Sequence, residues 1–394
     1  MELYLLDWGN LLLRWLHVIT AIAWVGSSFY FVFLDNNLIR PTSPDLLEKG
    51  VDGAMWAVHG GGFYNPQKYM VAPKKIHTHL HWFYWESYTT WLSGFALFAI
   101  SYLWQAQTYL IDPNLVPWQP WQAGALALAF LVVFWLLYDL ICRTLGQGPR
   151  GDLVVGTAVA LVVALASWLA TEWFAGRAAF LIVGAMLGTT MSANVFFVII
   201  PGQRQVVRAM QNGQPVDPIH GKRGKQRSVH NTYFTLPVLF AMLSNHYSMV
   251  YAHAHNTTVL LVMMAAGALI RQYFVLRHAH KQGKRANPAP YAVVGVLLIA
   301  VLVVWLRPAP QAAAQAQAPV ADAQAMAVLQ ARCVQCHNAQ VQMKGVRLDT
   351  PDNMRTHALA IHQQAVVLRA MPMNNSTGIT PAERDLLARW FAAR

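Results

Sequence analysis

Charge is what this sequence has least of. Lys, Arg, Asp and Glu make up 12% of its 394 residues, against about 25% in soluble globular chains. With 56% hydrophobic residues, that deficit excludes a disordered chain and argues against a purely soluble one. Acids are scarcer than bases, 17 against 29, for a net charge of +12. Cysteine is nearly absent: Cys142, Cys333 and Cys336 are the whole complement, which excludes a disulfide framework. No Lys or Arg precedes Arg14 and no small-residue cleavage site follows, so no signal peptide is expected.

What is abundant is apolar sequence in long runs. Eight approach the ~20 residues that span a bilayer, near 9–33, 82–104, 121–142, 152–174, 178–200, 231–250, 257–276 and 291–306. Trp8, Trp82, Trp104, Trp121, Trp173 and Trp305 gather at run ends, as an interfacial belt does. The loops after odd-numbered runs hold seventeen basic residues, among them Lys74, Lys75, Arg143, Arg204, Lys222 and Arg277. The even-numbered loops hold only Arg177, with Arg307 just past the last run. By the positive-inside rule the odd loops are cytoplasmic and both termini face outward. Topology thus explains the positive charge, and no nucleic-acid partner is expected. The fold expected is all-α: an integral membrane bundle of eight transmembrane helices in residues 1–307, a Pro/Ala/Gln linker over 308–324, and a small helical domain in 325–394. Within the last, Thr380-Pro381-Ala382-Glu383 is a capping box that starts a helix.

That terminal domain contains Cys333-Val334-Gln335-Cys336-His337, the spacing of a c-type haem attachment site. Two thiols can form thioethers with the haem vinyl groups while the adjacent imidazole reaches the iron. A structural zinc would need two further N or S ligands at suitable spacing, and no cysteine follows. Of the later methionines, Met371 and Met373 lie just before the final helix. Met371, followed by Pro372, resembles the Met-Pro ligand loop of small cytochromes c and is the expected sixth ligand, with Met373 as a packing residue beside it. Met/His ligation suits an electron acceptor of high potential. Haem c is attached on the outer face of the membrane, which agrees with the orientation read from the loops.

Ionisable groups inside spans are costly and mark function by default. His17 and His246 lie at similar depth in the outer half of runs 1 and 6; they read either as axial ligands of a haem b or as hydrogen-bonded core histidines. Glu86 follows His77, His79 and His81 at the inner end of run 2. His230 and Asn231 open run 6 on the same side, and Arg271 lies in the inner half of run 7. The string His59–Tyr64 (HGGGFY) reads as an anion-binding backbone nest or as a plain tight turn.

Four strings together, HGGGFYNPQKY (His59–Tyr69), LHWFYWESYTTWLSG (Leu80–Gly94), ANVFFVIIPGQ (Ala193–Gln203) and HNTYFTLPVLFAMLSNHY (His230–Tyr247), resemble the bacterial membrane-bound urate oxidase (urate hydroxylase) family. The likeness runs in order along the chain and ends in the same C-x-x-C-H domain. Tyr84 is one departure, where the family commonly has Lys. The resemblance implies oxidation of urate to 5-hydroxyisourate, with electrons leaving through the cytochrome to a downstream respiratory acceptor. It implies a bacterial inner membrane location with the cytochrome domain periplasmic. Urate is a planar monoanion at neutral pH, so its site needs cationic or N–H donors, a base and an aromatic wall. His81, Glu86, His230 and Asn231 offer those groups, beside Trp82, Trp85 and Tyr233. A polar network that only locks two helices together is the alternative for the same residues. Two other functional classes are the alternatives: a quinol-dehydrogenase-type respiratory subunit, and a transporter or haem-handling protein with a cytochrome sensor. A haem–copper oxidase is excluded by the lack of any His-His pair.

Overall fold

A computed structural model describes residues 2–70, 73–146, 150–307 and 320–394. Most of the expected linker, 308–319, lies outside the described residues. Apolar runs become long helices because a segment in hydrocarbon must satisfy its backbone internally. In chain order these are α1 (Glu2–Asn37), α2 (Trp85–Phe98), α3 (Pro120–Thr144), α4 (Gly151–Trp173), α5 (Gly176–Ala193), α6 (Ile200–Gln211), α7 (Pro218–Leu243), α8 (Asn256–Lys281) and α9 (Ala289–Trp305). Among the described residues, five stretches are long and apolar enough to cross a membrane: Asp7–Asn37, Pro120–Thr144, Gly151–Trp173, Gly176–Gln211 and Asn256–Lys281. α9 is equally apolar but has 17 residues. The run near 82–104 starts at Trp85 and continues past Phe98 through wide π turns at Ala99–Leu103. The run near 231–250 differs more, because α7 begins upstream at Pro218 and carries the basic segment Lys222–Arg227. Asp217-Pro218 starts it: Asp217 Oδ1 accepts the Ile219 N–H at 2.9 Å, and proline fits the first helical turn.

Between α1 and α2 the chain forms short antiparallel pairs, β1 (Gly53–Ala54) with β4 (Gln67–Lys68) and β2 (Ala57–His59) with β3 (Gly62–Tyr64). His59 pairs with Gly62 across a two-residue turn in which Gly60 and Gly61 have φ of +58° and +80°. Such a turn demands left-handed backbone at both positions, which glycine adopts without strain. The glycine string is therefore a tight turn.

The described chain divides into two compact units. The first comprises Met1–Leu97, Ala185–Leu239 and Met264–Leu298. There α1 meets α2 through His17, whose Nδ1 lies 3.0 Å from the Thr90 carbonyl and 3.1 Å from Ser93 Oγ. Gly94 permits the approach: a Cβ on it would sit 2.8 Å from His17 Cε1. Gly94→Ala is expected to lower the melting temperature of the solubilised protein, and His17→Ala in that background to recover much of the loss. Absence of recovery would mean that the clash lies elsewhere. Ser192 Oγ donates to the Ser87 carbonyl (3.2 Å) and Trp91 Nε1 to Thr189 Oγ1 (3.1 Å), which joins α2 to α5.

The second unit comprises Phe98–Gly184, Phe240–Met263 and Ile299–Arg394. Leu110, Ile111, Tyr138, Phe174 and Phe180 are fully buried in it. Its last part is the tail, where α10 (Asp322–Arg332), α11 (Pro351–Thr356) and α12 (Pro381–Ala392) enclose Leu329, Met354, Leu387 and Trp390. The capping box forms as the sequence requires: Thr380 Oγ1 accepts the Glu383 N–H at 3.2 Å, and Glu383 Oε2 accepts the Thr380 N–H at 2.7 Å. Asp322 ties the first helix to the last. It accepts from Trp390 Nε1 (2.8 Å), Arg355 Nε (2.9 Å) and Arg394, and these bonds hold its carboxyl down to about 2. A carboxyl depressed in the folded state stabilises above its unfolded value and loses that contribution as pH falls through the folded value. The tail is therefore expected to weaken between about pH 4 and pH 2, and Asp322→Ala to flatten that acid limb in a circular-dichroism titration.

Candidate functional site

Two sets of residues carry chemistry, one in each unit. In the first unit, His81 and Glu86 stand at the start of α2. His81 is exposed, with its ring edge-on to Phe83 at 4.7 Å. Glu86 is half-buried in the first turn of α2, where a carboxylate favours the helix N-terminus. Next to it in sequence, Tyr84, Trp85 and Tyr88 form an aromatic wall with Phe196, with Tyr88 5.2 Å from Tyr84 and 5.3 Å from Phe196 between ring centroids.

His230 and Asn231 lie in α7, His230 half-buried and Asn231 buried. Asn231 accepts from Asn194 Nδ2 at 2.9 Å and donates to the Met191 carbonyl at 3.0 Å. Asn194 in turn accepts from Arg227 Nη1 at 3.5 Å. Asn194, Asn231 and Arg227 are 0%, 8% and 3% exposed, so a charged group and two amides share one buried network. The helix widens into π turns at Asn194–Ile199, a geometry frequent at functional sites. Sequence reasoning missed Asn194 and Arg227. The available signal was a lone amide inside the apolar string Ala193–Ile200. The α5 residue Ser192 bonds to α2 and the next residue but one, Asn194, bonds to α7, so this segment holds the elements of both candidate pairs. Arg271 of α8 is also buried, at 7% exposure. Nearer the C-terminal end of α8, Tyr273, Arg277, His280, Lys281 and Asn287 line a cavity of about 350 Å3.

His17 belongs to this first unit and His246 to the second, where His246 is exposed on the short turn Ser244–His246.

The second set is in the tail. Cys333 follows the last residue of α10, and Cys336 and His337 lie within the next turn, with the His337 N–H bonded to the Cys333 carbonyl at 3.1 Å. Cys336 is exposed, whereas burial pushes the Cys333 thiol up to about 12. His337 Nδ1 lies 3.2 Å from the Val346 carbonyl. That bond places the ring proton on Nδ1 and leaves Nε2 as an electron-pair donor, the tautomer a metal ligand needs. Met354 is fully buried in the tail core and Met343 is 49% exposed on a turn, whereas Met371 and Met373 are half-buried just before α12. Arg384 Nη1 holds that loop by donating to the Met371 carbonyl at 2.9 Å. The donor set fits a c-type haem: two adjacent thiols, one imidazole with a fixed tautomer, and two methionines in one loop. Among the described residues no group of three His, Cys, Asp or Glu side chains forms a metal site.

The same methionine loop is docked. Asn374 and Asn375 have φ of +52° and +56°, a backbone that asparagine tolerates better than most residues. Asn374 Nδ2 donates to the Tyr109 carbonyl at 2.8 Å and Asn375 Nδ2 to Asp112 Oδ1 at 3.3 Å. Burial raises the Asp112 carboxyl, while the Asn114 N–H, Asn375 and Arg384 pull it down. Behind this contact the rings of Tyr109, Tyr102 and Phe98 follow one another at 5.7 and 5.8 Å.

A family model described as urate oxidase N-terminal matches residues 3–307. No curated protein and no solved structure matches the chain.

Proposed function

The chain belongs to the urate oxidase N-terminal family, and from that premise we propose that it is a membrane-bound, cytochrome c-linked urate oxidase. Membership points to a urate-related oxidative function and to an oxidoreductase. The finer reading adds the electron route. Urate and water give 5-hydroxyisourate, two protons and two electrons, and the electrons leave singly through the tail to a respiratory acceptor. The observation that carries this reading is one chain that joins the family region, 3–307, to Cys333, Cys336 and a tautomer-fixed His337.

In this reading all eight runs cross the bacterial inner membrane, with odd loops cytoplasmic and the tail periplasmic. Cys333 and Cys336 would hold haem c through thioethers, and His337 and Met371 would bind its iron; when bound, the group would supply a one-electron acceptor. Glu86 acts as the base that takes a proton from the attacking water, and the Tyr84–Tyr88–Phe196 wall packs against the planar substrate. His81 and His230 donate to urate oxygens. Asn231 holds α7 in place, since both ends of its carboxamide are already engaged.

Anaerobic mixing of the purified protein with urate tests the proposal: the reduced haem band is expected to grow with urate and not with quinol. Reduction by quinol alone would favour the respiratory-subunit reading. The ligand loop gives a sharper check. Met371→Ala is expected to abolish the methionine-to-iron charge-transfer band and to lower the potential by something on the order of 0.1 V, a fraction of the ~0.8 V that axial ligation spans. Met373→Ala should keep the band. The reverse pattern would move the ligand role to Met373.

A further inference from the structure

Arg271 is a buried charge of the first unit with unpaired donor atoms. It is 7% exposed, and its Nε and Nη2 are buried without a hydrogen-bond partner. Among the described residues no carboxylate pairs with it. A guanidinium cannot discharge itself by losing a proton in a protein. Inside a membrane span an unpaired charge is among the costliest groups a chain can carry, and such residues mark binding sites by default.

The surroundings say what completes it. The guanidinium carbon lies 4.5 Å from the centroid of Phe29 on α1, so one face of the planar group is already covered by a ring. Tyr233 of α7 is a titratable neighbour, and its hydroxyl donates to Gln272 Oε1. The unpartnered atoms are Nε and Nη2, which together form one edge of the guanidinium with two parallel N–H donors. That edge matches two adjacent acceptors in one plane, as Arg does with carboxylate and phosphate. On a urate monoanion, a carbonyl oxygen beside a deprotonated ring nitrogen presents such a pair. α7 offers an acceptor in return: Pro237 has no N–H for the carbonyl of Tyr233, four residues earlier. The cationic cavity lined by Arg277, His280 and Lys281 lies further along α8, Arg277 about 9 Å beyond Arg271 at the helical rise. Such a lining concentrates anions at its mouth.

We propose that Arg271 is the anion-binding residue of the membrane domain, taking a planar organic anion side-on through Nε and Nη2. This rests on the urate reading above, which makes the anion urate.

Equilibrium binding to the full solubilised chain tests it, with urate, the uncharged planar caffeine and the carboxylate decanoate as probes. Wild type is expected to bind urate in strong preference to caffeine. Arg271→Gln should weaken urate at least thirtyfold and erase that preference, a change that a merely structural role would not produce. Arg271→Lys keeps the charge without the fork and should remain at least tenfold weaker than wild type, which keeps the test decisive if the Gln variant does not fold. Wild-type urate affinity in both variants would overturn the role of Arg271 and leave the urate reading intact. Wild type that ignores urate but binds decanoate through Arg271 would overturn the urate reading and with it the identity of the anion.

Discussion

Replacing both Cys333 and Cys336 by Ser is expected to leave the chain without covalent haem and to drop urate-dependent reduction of an external acceptor to background. Cys333 packs only against the edge of the tail core of Leu329, Met354, Leu387 and Trp390, and Cys336 is exposed, so the isosteric serines leave that core in place. Asp322 and the Thr380 capping box hold its first and last helices independently of them. Urate binding should persist, because the family region ends at residue 307. A pyridine haemochrome spectrum checks the first half and stopped-flow acceptor reduction the second. A double variant that still delivered electrons at the wild-type rate would dismiss the tail as the relay. His337→Ala should act differently: the thioethers can still form, but the haem loses the imidazole positioned by the Val346 carbonyl, so a covalent haem with an altered spectrum is expected.

Asn194→Ala should be the most damaging single change in the first unit. It removes one acceptor of a buried arginine and the donor to Asn231 in one step. The buried Asn231 carboxamide oxygen loses its donor, and a buried acceptor left unmade costs about 1–3 kcal/mol, so a loss of that order is expected. Melting of the solubilised protein should fall by several degrees, and urate affinity should fall with it as α7 shifts. Glu86→Gln should show the opposite separation, with melting unchanged and turnover sharply lower, since its half-buried carboxyl is assigned to proton transfer and not to packing. Equal melting of wild type and Asn194→Ala would show that the network does not hold α7. Unchanged turnover in Glu86→Gln would remove Glu86 from the chemistry.

Much of this protein was legible in one dimension, and for a clear reason. Apolar runs, loop charge, the C-x-x-C-H spacing and the capping box are local patterns, so Pro120–Thr144 and Gly151–Trp173 lie within a residue or two of the runs that predict them. Local chemistry also explains the misses in extent. Asp217-Pro218 starts α7 ahead of the apolar run, and Gly60-Gly61 makes a turn where an anion nest was the other reading. What hydropathy cannot reach is the pairing of polar groups between helices. It counts Asn194, Arg227 and Asn231 as isolated exceptions, yet they form one network whose members lie 33 and 37 residues apart. Arg271 is the converse case: its place in an apolar run was visible, but only packing reveals that Phe29 covers its face while Nε and Nη2 stay unpaired. The sequence by itself determined the helical class, the membrane-length runs and the two thiols and imidazole of the tail, because each follows from neighbours along the chain. The tertiary structure alone decided which polar side chains satisfy one another and which is left wanting a ligand, because in a low-dielectric interior that depends on atoms from helices far apart in sequence.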